Sequence, residues 1–188
     1  MAPQPRLTWD PAQFPDGGCD AAALLLLYPR EGEWHVPLTV RGSGLRRHTG
    51  QVSLPGGRVD AGESIEAAAL RETAEEIGVG PDAIRLVGRL TPVTIPVSGY
   101  VLHPVIGMAG DRPRFQPAAW EVARLVEVPL ATLRDASVVQ REWRTREVEG
   151  RTIDVKTPYF AVGGEQVWGA TAMVLAEFLA LLERNDDI

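Results

Sequence analysis

The chain of 188 residues has the length of one ordinary domain, and its 45% hydrophobic and 23% charged content excludes a disordered, fibrous or collagen-like protein. A formal net charge of −6 argues against general binding to nucleic acid, because a protein that tracks a phosphate backbone needs a basic surface to displace counterions. Cys19 is the single cysteine, so no internal disulfide can form and a reducing, cytoplasmic location is expected.

Residues 1–19 are rich in Pro, Gly and Asp, have no apolar stretch of export-signal length, and read as an N-terminal arm. A single domain is expected over residues 20–188. Residues 20–28 form a continuous apolar run suited to a buried strand and far too short to span a bilayer, so no membrane role is expected. Residues 34–41 suggest a second strand, paired with the first across the turn-like Pro29-Arg30-Glu31-Gly32. Residues 42–50 carry three glycines among basic residues and read as a loop, followed by a short strand over 51–54 that ends at Pro55-Gly56-Gly57.

The spacing of Ile65, Ala69, Thr73 and Ile77, with Leu70 and Ala74 beside them, predicts a helix over 64–77 with one buried face. Ser64 suits its N-cap, Glu66 its first turn, and Gly78 the left-handed position after its end. Strands are expected over 84–95, 100–108, 123–128 and 138–148, with shorter ones at 152–155 and 159–162, and a terminal helix over 170–183 closes the series. A mixed sheet with at least two helices predicts an α/β sandwich.

The helix over 64–77 is acidic. Glu72, Glu75 and Glu76 lie three and four apart and share one side of it, where like charges repel unless a cation joins them. Mg²⁺ commonly takes one or two carboxylates and completes its shell with water and phosphate oxygens. Three glutamates on a helix are more often a solvated face than a site. The surrounding spacing reverses that reading: Gly57, Glu63 after five residues, Arg71-Glu72 after seven more, then Glu75-Glu76 and Gly78. Seven such identities arise by chance at one start point with a probability on the order of 10⁻⁸.

Residues 57–79 resemble the Nudix box, G-x5-E-x7-R-E-U-x-E-E-x-G-U with U aliphatic, and depart from it at Thr73 alone. Threonine keeps the β-branched shape and adds a hydroxyl that can bond to a carbonyl one turn earlier. The resemblance implies an α/β/α sandwich with a mixed β-sheet and a loop-helix-loop catalytic motif, and hydrolysis of a diphosphate linkage with Mg²⁺ or Mn²⁺ as cofactor. It implies Glu72 and Glu76 as principal metal ligands, Glu75 as a further ligand or water-positioning group, and the Gly56 carbonyl as a further contact. It also implies that Arg71 and Glu63 pair and orient the helix. A carboxylate beyond the box is expected to take the proton from the attacking water, and Glu121 is suitably placed in the chain, with an ordinary loop glutamate as the alternative.

Between residues 34 and 59 there is no carboxylate, while Arg41, Arg46, Arg47 and Arg58 cluster with His35 and His48. Arginine forks and glycine-rich backbone suit phosphate oxygens. Residues 37–57 resemble the motif L-L-T-x-R-S-x3-R-x3-G-x3-F-P-G-G of coenzyme A pyrophosphatases at Leu38, Thr39, Arg41, Arg46, Gly50 and Pro55-Gly56-Gly57, with departures at Pro37, Gly42 and Leu54. Residues 167–179 are similar to that subfamily too. The resemblance implies coenzyme A as the small-molecule substrate, with Arg41, Arg46, Arg47, Gly56 and Gly57 binding it, and is compatible with a homodimer. ADP-ribose or another nucleoside diphosphate derivative is the alternative substrate, and a non-enzymatic binding module the alternative class. His103 reads as a core or sheet-face residue rather than a catalyst, and His48 lacks an evident partner.

Overall fold

The computed structural model describes residues 18–42, 51–95, 98–148 and 151–186. Most of the N-terminal arm and of the basic loop, including Arg46, Arg47, His48 and Gly50, lies outside them.

The elements in chain order are β1 (Cys19–Arg30), β2 (Glu33–Arg41), β3 (Val52–Ser53), β4 (Gly56–Arg58) and α1 (Ile65–Ile77). A single 3₁₀ turn at Pro81–Ala83 leads to β5 (Arg85–Arg89), β6 (Val93–Ile95), β7 (Tyr100–Met108), β8 (Val122–Pro129) and α2 (Leu130–Arg134). After a second 3₁₀ turn come β9 (Val139–Val148), β10 (Arg151–Val162), β11 (Glu165–Val167) and α3 (Gly169–Asp186).

β1 organises the molecule. It runs parallel to β7 along Cys19–Leu27 and antiparallel to two partners on its other edge, β4 at its start and β2 at its end. β2 pairs in turn with β3 and β8, and β7 with β5 and β6, giving a mixed sheet. Strand side chains alternate between faces, so a strand covered on both sides must be apolar at every position. Ala22, Leu24, Leu26 and Tyr28 pack on one side with Ala68, Ala69 and Ile77 of α1. Ala23, Leu25 and Leu27 pack on the other with Val174, Leu175 and Phe178 of α3. Leu24, Leu25 and Leu26 are fully buried, each worth about 1.5–3 kcal/mol of burial. The expected α/β/α sandwich is the observed one, and the unbroken apolar run over 21–28 is its central strand.

Several elements differ from the sequence reading. The expected strand over 84–95 is two strands, because the chain breaks at Thr91-Pro92, and proline brings no N–H to a ladder. The two short strands expected over 152–162 are one. Pro158 is tolerated in it because β11 pairs with β10 only at Phe160–Val162 and leaves that edge open at position 158. β4, α2 and β11 were not anticipated; at three to five residues they are too short for a periodic pattern. Among the described residues no helix is long and apolar enough to cross a membrane.

Candidate metal and phosphate site

α1 has the ends its sequence calls for. Ser64 Oγ accepts the Ala67 N–H at 3.1 Å, and Gly78 takes φ 72° while its N–H donates to Ala74 O at 3.0 Å. Thr73, the residue that departs from the box, is fully buried, and its hydroxyl donates to Ala69 O at 2.7 Å, so its polar atom is satisfied within the helix.

The apolar face of α1 packs on β1 and carries one charged residue inward. Glu76 is only 4% exposed, and its Oε2 has no hydrogen-bond partner among the described residues. Burial, reinforced by repulsion from Glu121 and Glu72, pushes its carboxyl up to about 8, with Arg41 and the Gly56 N–H pulling the other way. Glu72 stands one turn back, and burial raises its carboxyl as well, against the opposing pull of Arg71. Its carboxylate occupies the space beside Gly57, where a Cβ would stand 2.5 Å from Oε1. Gly56 is equally confined, because a Cβ there would lie 2.3 Å from Ala22 O across the β1–β4 pairing. The Gly56-Gly57 pair therefore does two things: it lets β4 close on β1, and it leaves room for the Glu72 side chain.

Arg71 organises the exposed side of the cluster. Its Nε and Nη2 donate to the two Glu63 oxygens at 2.9 and 3.0 Å, its Nη1 to Glu72 Oε1 at 2.7 Å, and its Nη2 also to Arg58 O at 3.0 Å. Arg71 and Glu63 thus pair as expected, and the same guanidinium ties the loop before α1 to the helix. The Arg71 hydrogen bond, followed by that from the Asp60 N–H, holds the Glu63 carboxyl below the usual range. Glu75 is exposed and 3.3 Å from Arg71 Nη1, on the outer side of Glu72 and Glu76.

Glu121 arrives from a loop distant in sequence. The last carbonyls of α1 lack helical partners, and two of them accept from this loop: Ile77 O from Gln116 N at 2.8 Å, and Glu76 O from Ala118 N at 2.9 Å. Glu121 N–H then donates to Ala118 O at 3.0 Å, closing a turn that leaves the Glu121 side chain 3.2 Å from Arg41 Nη2. The link is made through backbone atoms, so no side-chain pattern announces it. The sequence pointed to Glu121 by its position, and in the structure its charge acts on Glu76 and Glu72, raising both carboxyls. His103, on β7, is partly exposed rather than core and pairs with Asp20 of β1 at 2.8 Å. Sequence reasoning missed the partly exposed network at the far end of β1, where Glu127 accepts from Tyr28 Oη at 2.7 Å and from Arg112 at 2.8 and 2.9 Å.

Residues 18–146 match the family model of the NUDIX domain, a span that contains the whole of this site. The chain belongs to the Nudix family. A relative from Enterobacter sp. (strain 638), described as the uncharacterized Nudix hydrolase NudL, is 33% identical over 157 residues, covering 83% of this chain and 79% of the relative. The protein of the same description from Pectobacterium atrosepticum is 34% identical over 139 residues, covering 73% and 70%. Among solved structures, the Nudix hydrolase RenU from M. smegmatis superposes with a TM-score of 0.60 at 22% identity, over 90% of this chain and 87% of its own. The MutT protein from Methanosarcina mazei Go1 gives 0.57 at 16% identity, over 88% and 95%. Both share the Nudix fold.

Nudix hydrolases generally use divalent metal ions, and the donors here fit one. Glu76 is a buried carboxylate with an unpartnered oxygen, and Glu72 and Glu121 repel it. A hard cation would relieve that repulsion and satisfy the orphaned oxygen. Among the described residues no three acidic, imidazole or thiol groups stand together as a ready-made cage; Arg71 bonds Glu72 and Glu75, and Arg41 pairs with Glu121. Two carboxylates suit a cation that keeps water and phosphate oxygens in its shell.

Proposed function

We propose that this Nudix protein is a divalent-metal-dependent diphosphatase that cleaves coenzyme A, or a derivative of it, into 3′,5′-ADP and 4′-phosphopantetheine. The observation that carries the chemistry is the pair of Glu72, confined beside Gly57, and Glu76, buried with an unpartnered oxygen one turn on. A diphosphate resists hydrolysis largely because its charged oxygens repel a nucleophile; Mg²⁺ or Mn²⁺, when bound, neutralises those oxygens and acidifies a coordinated water.

The protein's own residues do the rest. Glu72 and Glu76 hold the cation, with the Gly56 carbonyl as a further contact and Glu75 at the outer edge as an additional ligand or water-positioning group. Arg71, locked by Glu63, keeps Glu72 in place. Glu121 takes the proton of the attacking water. Arg41, at the end of β2, supplies a cationic group beside these carboxylates for the diphosphate.

The choice of coenzyme A is supported by the match of residues 37–57 to the motif that precedes the box in coenzyme A pyrophosphatases, and by the similar stretch over 167–179. A 3′-phosphate entering an acidic protein needs cationic partners, which Arg46 and Arg47 supply in sequence beside the site. Incubation of the purified protein with Mg²⁺ or Mn²⁺ and coenzyme A, ADP-ribose, NADH or diadenosine polyphosphates tests the reading. Coenzyme A is expected to have the highest kcat/KM, and faster cleavage of ADP-ribose would reassign the substrate while leaving the metal site intact.

A further inference from the structure

β9 ends its sheet with an uncovered edge. The three strands run in the order β11, β10, β9, so β10 pairs with one side of β9, and no strand lies along its other side among the described residues. Such an edge is a row of unused donors and acceptors, which proteins commonly blunt with proline or lysine. β10 is open too, beyond the reach of β11, and carries Lys156 and Pro158 there. β9 carries neither along Val139–Val148. The ribbon is also poorly buried. Trp143 is 67% exposed and Val139 40%, on one face of β9, and Ile153 and Val155 are exposed on β10. A two-stranded ribbon is marginal in water, and a further strand stabilises it.

A second copy of the chain can supply that strand. Two identical antiparallel strands related by a two-fold axis put one residue opposite itself, and every other pair follows from that choice. An axis at Arg141, Glu142 or Arg144 sets identical charges face to face, and one at Thr145 sets Arg144 opposite Arg146; like charges directly opposite are destabilising. An axis at Trp143 avoids this. There Glu142 meets Arg144 twice, Arg141 meets Thr145, and the two indoles meet each other. The side chains are already disposed for these pairs. Glu142 and Arg144 lie on one face, 2.9 Å apart, and Arg144 is steadied by Gln166 at 2.6 Å and by the Trp168 ring at 4.5 Å. Lys156 Nζ stands 6.0 Å from the Trp143 ring, so a cation flanks each indole of the pair.

We propose that β9 pairs antiparallel with β9 of a second copy of this chain across a two-fold axis at Trp143, joining the two β11-β10-β9 sheets into one. Backbone hydrogen bonds supply the attraction, and the Glu142–Arg144 and Trp143 pairs fix the register. An edge pairing of this length lies at the small end of specific interfaces, so the association is a weak one, in the micromolar range. It involves none of the residues placed at the metal and phosphate site.

Sedimentation velocity of the full chain from about 1 to 200 µM should show a monomer–dimer equilibrium. Glu142→Arg leaves arginine opposite the partner's Arg144, and Arg144→Glu leaves glutamate opposite the partner's Glu142, so each variant alone should dimerise at least about tenfold more weakly. An equimolar mixture of the two variants restores opposite charges at both positions and should dimerise as the unmodified protein does. Trp143→Cys in a Cys19→Ser background places one thiol on each side of the axis, at a Cα separation of about 4.5–5.5 Å, and should give a disulfide-linked dimer on oxidation with copper–phenanthroline. Circular dichroism checks the fold of each variant. A monomer at every concentration overturns the proposal, as does a dimer that survives both charge reversals or a mixture of folded variants that stays monomeric. If a charge variant does not fold, the thiol variant decides, and absence of its crosslink overturns the pairing.

Discussion

The Glu72 carboxylate lies where a side chain at Gly57 would have to be, since a Cβ there would stand 2.5 Å from Glu72 Cδ. One residue gives up its side chain so that the other has the space it needs. Gly57→Ala is expected to displace Glu72 and reduce kcat/KM by roughly 100-fold, because a shift of about 1 Å in a reacting group costs that much. Gly80→Ala, at a position with open space and ordinary φ, serves as the control and should leave the rate unchanged. Steady-state kinetics beside thermal melts separate this from a folding defect.

Glu76 ties activity to a stability cost. Its carboxyl titrates at about 8 in the metal-free fold, while in the unfolded chain it returns to the ordinary carboxylate value. The folded state therefore holds the extra proton between those values, and metal-free stability should fall as pH rises through that window. Glu76→Gln removes the penalty, on the order of a few kcal/mol, so it should melt higher than the unmodified protein at pH 8 without metal. Added Mg²⁺ should raise the melting temperature of the unmodified protein far more than that of the variant. Turnover of Glu76→Gln should drop by orders of magnitude at limiting Mg²⁺, and near-normal turnover there would remove Glu76 from the metal shell.

Glu121→Gln addresses the proton acceptor. A positioned base contributes about 10²- to 10⁴-fold, so kcat should fall in that range. A rate and profile identical to those of the unmodified protein would pass the role to Glu75, which lies on the same helix but on its exposed side.

The 3′-phosphate is the mark that separates coenzyme A from simpler ADP derivatives. The unmodified protein should cleave coenzyme A with higher kcat/KM than 3′-dephospho-coenzyme A, and Arg46→Ala should narrow that gap by damaging the coenzyme A reaction. Loss of one charge-assisted contact of about 1.5–3 kcal/mol corresponds to roughly a 10- to 150-fold effect. Equal rates on the two compounds would show that the 3′-phosphate is not read.

By itself the sequence determined what short-range chemistry encodes. The unbroken apolar run over 21–28 specified a strand covered on both faces, and the spacing from Ile65 to Ile77, with Ser64 and Gly78 at its ends, specified the helix and its inward side. The box spacing specified Glu63, Arg71, Glu72, Glu75 and Glu76 as a group. Tertiary structure alone decided how that group divides: Glu76 goes inward and Glu72 closes over Gly57, while Glu75 stays exposed beside Arg71. A helix face is about 100° wide, so residues three and four apart share it equally in sequence, and only the sheet beneath tells them apart. The approach of Glu121 and Arg41 was likewise a tertiary matter. They are eighty residues apart and meet because carbonyls at the end of α1 capture a loop and a bulge turns the end of β2, both of them backbone events without a side-chain signature.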